Sequence, residues 1–251
     1  GIAGERCAIN ITGADLKNSS VKRGGWLLTP QIHAPVPRFD ASLKILSSEK
    51  KPLRHWTPVH VHAGAAEIPG RIALLGEKEI SPGAEGLVQV VLDRRIGILK
   101  DDQFILRDQS AQRTIAGGRV VDPFSPSRGR AKPARIKFLK DMMCSEPDYA
   151  LSRLLEHNPE GVDFKQFSVA WNLTGEDVEA LLEIVEHRMA GPEKKPSIFS
   201  KVHWETLESE VISNLNTWHQ ENPDRSNLNA HGLRAGLSRR VSMTIFQDML
   251  D

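Results

Sequence analysis

The spacing of apolar residues changes character near residue 122. Before that point apolar and polar positions alternate in short runs, the period-two pattern of half-buried strands. Cys7-Ala8-Ile9-Asn10-Ile11 alternates, and Gly24-Gly25 precedes Trp26-Leu27-Leu28. Phe39, Ala41, Leu43 and Ile45 fall on one face of the run 39–46, and Val59-His60-Val61-His62 alternates again. Runs at 70–75, 86–92, 103–107 and 118–121 follow. Short β-rich segments at a spacing of about ten residues, separated by turn chemistry, predict a closed barrel or a sandwich.

Residues 123–133 read as a linker, with three prolines, two serines and a glycine among basic residues. Beyond it the period becomes helical. Thr174-Gly175-Glu176-Asp177 has the form of a capping box with Asp in place of the usual Glu, and Val178, Leu181, Leu182 and Val185 repeat on one face. Trp204, Leu207, Val211, Leu215 and Trp218 make a longer stripe that Asn222-Pro223 ends. Helices near 147–157, 163–171 and 175–187, closed by a hairpin at 188–200, form the winged-helix variant of helix-turn-helix. A second unit starts with a helix near 201–221 and continues in shorter helices near 227–235 and 239–250.

The formal net charge is only +1, so no global field points to a nucleic-acid partner. The charge is unevenly spread. Arg128, Arg130, Lys132, Arg135, Lys137 and Lys140 fall between Pro123 and Lys140 with no acid among them, whereas 141–190 holds eleven Asp or Glu against three Lys or Arg. An acidic module of this kind repels a phosphate backbone and reads as a spacer or a protein-contact module. Cys7 and Cys144, the two cysteines, give neither a disulfide framework nor a zinc pattern, and a reducing, cytoplasmic setting is the default. No run approaches the ~20 apolar residues of a membrane span, so no membrane partner is expected. Gly1 is not a natural start and the chain opens on a strand-like run, which predicts a piece of a longer protein.

Three stretches resemble a known family. Residues 3–11 with 21–28 are similar to the exit of the second barrel of translational GTPases, with Gly25 where Asp is usual. Residues 54–72, from Arg54-His55-Trp56-Thr57-Pro58 to Pro69-Gly70-Arg71-Ile72, resemble the third barrel of selenocysteine-specific elongation factors. Residues 104–123 look like the end of that barrel, with Ala116 in place of its first glycine. Elongation factor Tu shares the barrel pattern but ends soon after it, so the winged-helix continuation separates the two. The resemblance implies a multidomain fold, β then α: an elongation-factor-type β-barrel followed by winged-helix modules. The expected division is 1–28 as the last strands of a second barrel, 29–122 as the third barrel, 123–133 as a basic linker, 134–200 as a first winged helix and 201–251 as a second, truncated one.

What the resemblance implies about function follows the family. The whole factor binds GTP with magnesium and delivers selenocysteyl-tRNA to the ribosome at recoded UGA codons. In bacteria its last winged helices hold a hairpin in the selenoprotein mRNA. No glycine-rich phosphate loop with its lysine occurs here, so neither GTP binding nor catalysis is expected of this stretch and no cofactor is assigned to it. The third barrel would meet the acceptor and T stem of the tRNA, recognised by shape, phosphates and 2′-hydroxyls. The matching residues are Arg54, His55, His60 and His62, with Lys50 and Lys51 as further phosphate contacts; the alternative is an ordinary solvated barrel exterior. A zinc site at His60 and His62 would need a third ligand, with His55 and Glu67 nearest, and no metal is assigned. Arg107, Asp108, Arg113 and Thr114 form a loop that would face the GTPase domain, or else a plain hairpin before its glycines. Arg128, Arg130, Lys132, Arg135 and Lys137 would touch RNA phosphates, or simply be solvated. The competing readings are a winged-helix transcription regulator and a piece of another translational GTPase.

Overall fold

The computed structural model describes residue 5, residues 7–10, residue 12, residues 24–224 and residues 228–250. Six strands close into an antiparallel barrel: β1 (Val36–Ile45), β3 (Thr57–Ala63), β4 (Ala66–Leu74), β6 (Glu85–Ile96), β7 (Gln103–Arg107) and β8 (Thr114–Asp122), in the spatial order β1-β6-β4-β3-β7-β8. Two short strands, β2 (Leu53–Arg54) and β5 (Glu79–Ile80), pair outside it. The period-two pattern sets which side chains fill the barrel. Phe39, Ala41, Leu43 and Ile45 of β1 point in, as do Val59, Val61 and Ala63 of β3, which leaves His60 and His62 on the exterior. Phe39 and Phe104 meet edge to face at 5.2 Å in the middle of the core. Gly118 is required by packing: a Cβ there would lie 2.6 Å from both the Phe104 ring and the Ser42 carbonyl.

The expected strand at Cys7–Ile11 is not formed: Cys7–Asn10 is irregular and Ile11 lies outside the described residues. Trp26–Leu28 is irregular as well, and the rest of the expected second-barrel exit, 13–23, lies outside the described residues. A strand needs a partner for its N–H and C=O groups, and alternation alone does not supply one.

The helical part begins earlier than its period suggested. Helix α1 (Pro133–Met142) starts directly after the proline-rich stretch, with Pro133 in its first turn where a missing N–H costs nothing. It packs on α2 (Pro147–His157). Then come β9 (Val162–Asp163), α3 (Phe164–Ala170), α4 (Gly175–Ile184), β10 (Arg188–Ala190) and β11 (Ser197–Phe199). The three strands form a small sheet in the order β10-β11-β9, completing a winged helix whose wing is β10–β11. Thr174 and Asp177 form a complete capping box at α4, so Asp serves where Glu is usual. Helix α5 (Lys201–Glu221), α6 (Ala230–Ala235) and α7 (Met243–Leu250) gather around Trp204, Leu207, Val211 and Phe246. Ala190 and Phe199 of the wing belong to that same core.

Candidate nucleic-acid interface

The barrel exterior divides into a covered part and an open part. The covered part is the seat of the first winged helix. β1 and β8 shift register between Asp40 and Ala41, so Asp40 pairs with Asp122 and both carboxylates reach the same spot. Arg135 of α1 bonds both: Nε to Asp40 Oδ2 at 2.9 Å, and Nη2 to Asp40 Oδ2 and Asp122 Oδ2 at 2.5 Å each. Gln89 of β6 donates to Asp40 Oδ1 at 2.9 Å and to the Pro126 carbonyl at 3.0 Å. Burial pushes the Asp40 carboxyl above its ordinary value, against the pull of Arg135. Burial also penalises the Arg135 cation, but two carboxylates on one guanidinium outweigh that and hold its pKa above the ordinary value. A second clasp comes from Lys100, whose N–H donates to the Ala170 carbonyl at 3.0 Å while its ammonium lies 3.8 Å from the Trp171 ring centroid.

This corrects the expectation for Arg135. Its side chain is 13 % exposed and sealed between two acids, so it holds the module to the barrel and offers nothing to a phosphate. Arg130 is partly committed too, donating to Gln89 Oε1 at 3.2 Å and lying 5.7 Å from the Trp56 ring. Arg128, Lys132 and Lys137 remain exposed.

The open part lies one register row away. Val91 of β6 faces Arg38 on β1 and Arg71 on β4, and Arg71 faces Pro58 on β3. Arg71 is exposed and Arg38 half-buried, and neither has a hydrogen bond or ion pair among the described residues. Two strand spacings put these cations about 10 Å apart. In the next row His60 pairs with Pro69 on one side and with Arg107 on the other, and its Nδ1 meets Glu67 Oε1 at 3.1 Å. His62 follows on the same exterior side with Nε2 buried and unpartnered among the described residues. No group of three or more metal-ligating side chains occurs among the described residues.

The turn that enters β3 is tightly tied. Trp56 N–H donates to the Ile72 carbonyl at 2.6 Å, Thr57 Oγ1 to the Arg54 carbonyl at 2.7 Å, and the Leu74 N–H to His55 Nδ1 at 3.2 Å. That last bond places the proton of neutral His55 on Nε2. Arg54 is largely exposed, with a loose ion pair to Glu79 at 3.8 Å. Lys50 and Lys51 are exposed in the preceding loop. Lys51 lines a groove of about 270 Å³ together with Asp108, Gln109 and Arg113, so the structure brings the 46–53 and 108–113 loops together. The latter loop is built around Asp108. Its Oδ1 accepts from the N–H groups of Gln112 and Arg113 and from Ser110 Oγ, while Arg107 donates to the Ala111 carbonyl and Arg113 pairs with Glu49 at 2.7 Å. Thr114 starts β8.

Arg38 and Arg71 join the candidate site only in the structure. The signal was available, because both are basic residues at outward positions of alternating strands, but only the pairing register puts them on either side of Val91.

Residues 40–127 match the family described as selenocysteine-specific elongation factor, beta-barrel domain. The chain carries the β-barrel domain of the selenocysteine-specific elongation factors. It is 31 % identical over 223 residues to the selenocysteine-specific elongation factor of Escherichia coli (strain K12), covering 88 % of this chain and 33 % of that protein. It is 34 % identical over 159 residues to the Haemophilus influenzae factor, covering 63 % of this chain and 25 % of the relative. It is 36 % identical over 121 residues to that of Desulfomicrobium baculatum, covering 48 % and 19 %. The chain therefore spans a third or less of the length of these relatives. The matched family region takes in Arg54, His55, His60, Arg71 and the loop at 107–114, and ends within the proline-rich stretch that leads to α1.

Proposed function

We propose that this chain supplies the tRNA-facing barrel and the start of the winged-helix arm of a GTP-dependent factor that delivers selenocysteyl-tRNA to the ribosome at recoded UGA codons. The observation that carries this is the open cationic row on a barrel of the selenocysteine-factor type. Arg71 is exposed and Arg38 half-buried on the exterior, neither paired among the described residues, with His60, Arg54, Lys50 and Lys51 beside or beyond them. An A-form stem presents phosphates and 2′-hydroxyls over a wide minor groove, and such a face needs cations and hydrogen-bond donors without a base-reading element. The 107–114 loop would face a GTPase domain: Asp108 gathers the Gln112 and Arg113 N–H groups and Arg113 pairs with Glu49, so the loop is braced from within and from the 46–53 loop. GTP and magnesium would be held elsewhere in the full-length factor, and an mRNA hairpin by other winged helices. Helix α4 occupies the place of a groove-reading helix, and it carries Glu176, Asp177, Glu179 and Glu183 with no Lys or Arg. That composition also disfavours the transcription-regulator reading.

The test is salt-dependent binding to an RNA mimic of the tRNA acceptor and T stems. Arg54→Ala with His60→Ala is expected to weaken binding. Arg38→Ala and Arg71→Ala are each expected to lower the slope of log affinity against log salt by about one. Unchanged affinity and slope in all these variants would remove the barrel exterior from the interface.

A further inference from the structure

Trp56 occupies a position that a tryptophan has no structural reason to fill. Its φ is +69°, in the left-handed region, where a turn that needed only backbone freedom would take glycine or asparagine. The turn is held there by the Trp56 N–H to Ile72 bond and the Leu74 to His55 bond, and the outcome is an indole set out on the surface. Trp56 is 42 % exposed, more than any other described tryptophan. It is not loose. The His55 ring lies 6.0 Å away at 25° and the Arg130 guanidinium over the indole at 5.7 Å, contacts that orient the ring while part of it stays open to solvent. Arg54 ends β2 two residues before it, and Arg71 pairs with Pro58 two residues further along the chain. A held, exposed aromatic ring with one guanidinium against it and two more arginines on the adjoining strands is an arrangement that stacks an unpaired base while its neighbours hold phosphates. Strain kept at an exposed aromatic side chain points the same way.

We infer that Trp56, oriented by His55 and Arg130, is a stacking platform for one unpaired nucleobase at the edge of the barrel's RNA-binding face. The inference rests on the proposed RNA contact and adds to it a preference for a helix end or loop over a closed duplex. Stacking transfers no counterions, so its loss lowers affinity without altering the salt slope, whereas loss of a phosphate contact alters both.

The experiment compares three RNAs of one stem sequence: a blunt two-strand duplex, the duplex with a short unpaired 3′ tail, and the stem closed by a loop. The wild-type chain is expected to favour the tailed or the looped RNA, and which of the two it favours identifies the source of the base. Trp56→Ala is expected to remove that preference, a loss of about five- to a hundredfold, with blunt-duplex affinity and salt slope unchanged. Trp56→Phe is expected to keep most of it. An abasic tail on wild-type protein should behave as the blunt duplex, which tests the idea without any mutation. Equal loss on all three RNAs in Trp56→Ala would mean that Trp56 only clasps Arg130, and no preference in the wild type would also overturn the platform. Both results leave the barrel contact standing. Failure of the wild type to bind any of the three would overturn the barrel contact and the platform together.

Discussion

Arg135 illustrates how a residue's type and its neighbours in sequence can mislead. It sits in a run of six basic residues without an acid, which reads as a surface for phosphates. The acids that claim it are 95 and 13 positions away, and a register shift between β1 and β8 brings them together. Arg135→Ala leaves two buried carboxylates without their cation, and the expected cost is about 3–5 kcal/mol, read as lost stability in denaturant unfolding. Restoring much of that loss in a triple variant with Asp40→Asn and Asp122→Asn would identify the uncompensated charge as the cause. If Arg135→Ala unfolds like the wild type, the clasp is not what fixes α1. Gly118→Ala tests the barrel at the same scale. Its Cβ meets the Phe104 ring and a backbone carbonyl at 2.6 Å, so a loss of roughly 1–3 kcal/mol is expected in thermal unfolding.

Among the elements, α4 depends most on local chemistry. Thr174 and Asp177 satisfy its first N–H groups, and hydrogen bonds from Thr174 hold the Asp177 carboxyl below its ordinary value. Thr174→Ala is expected to cost about 1 kcal/mol. The sign of the pH effect follows from the lowered pKa: the carboxylate's contribution is complete above the unfolded value of 3.8 and fades as pH falls through the lower folded value. Acid unfolding of Asp177→Asn should therefore lack that component, and an identical acid limb in both proteins would speak against it. This cap was readable because its partners are three residues apart, and α2, whose bounds 147–157 match its period, was readable for the same reason. Helix α1 was not. Its buried residues are Leu139, Asp141 and Met142, one of them an acid paired with Arg153 and His157, so no apolar stripe marks it. Cys7–Asn10 fails in the opposite sense, with alternation present and no strand formed.

For the whole molecule, the proline-rich stretch is a joint and not a tether. Gln89 binds the Pro126 carbonyl, Arg135 binds two barrel acids and Lys100 binds α3, so barrel and first winged helix are fastened to each other at more than one point. The fold class and the family were legible from alternation, helical period and three short motifs. The proposed RNA-facing site was legible only in part. Arg54 and His60 lie on a recognisable strand and its entry, whereas Arg38 and Arg71 become neighbours through pairing across β1, β6 and β4. The proposed function puts RNA on the open exterior of the barrel and not on the acidic winged helix. Ultraviolet cross-linking of the bound acceptor–T-stem RNA, with the linked peptides read by mass spectrometry, locates it directly. Cross-links are expected in β3, β4 and residues 54–57, with none in α4. Cross-links confined to residues 141–250, with the barrel peptides clean, would contradict it.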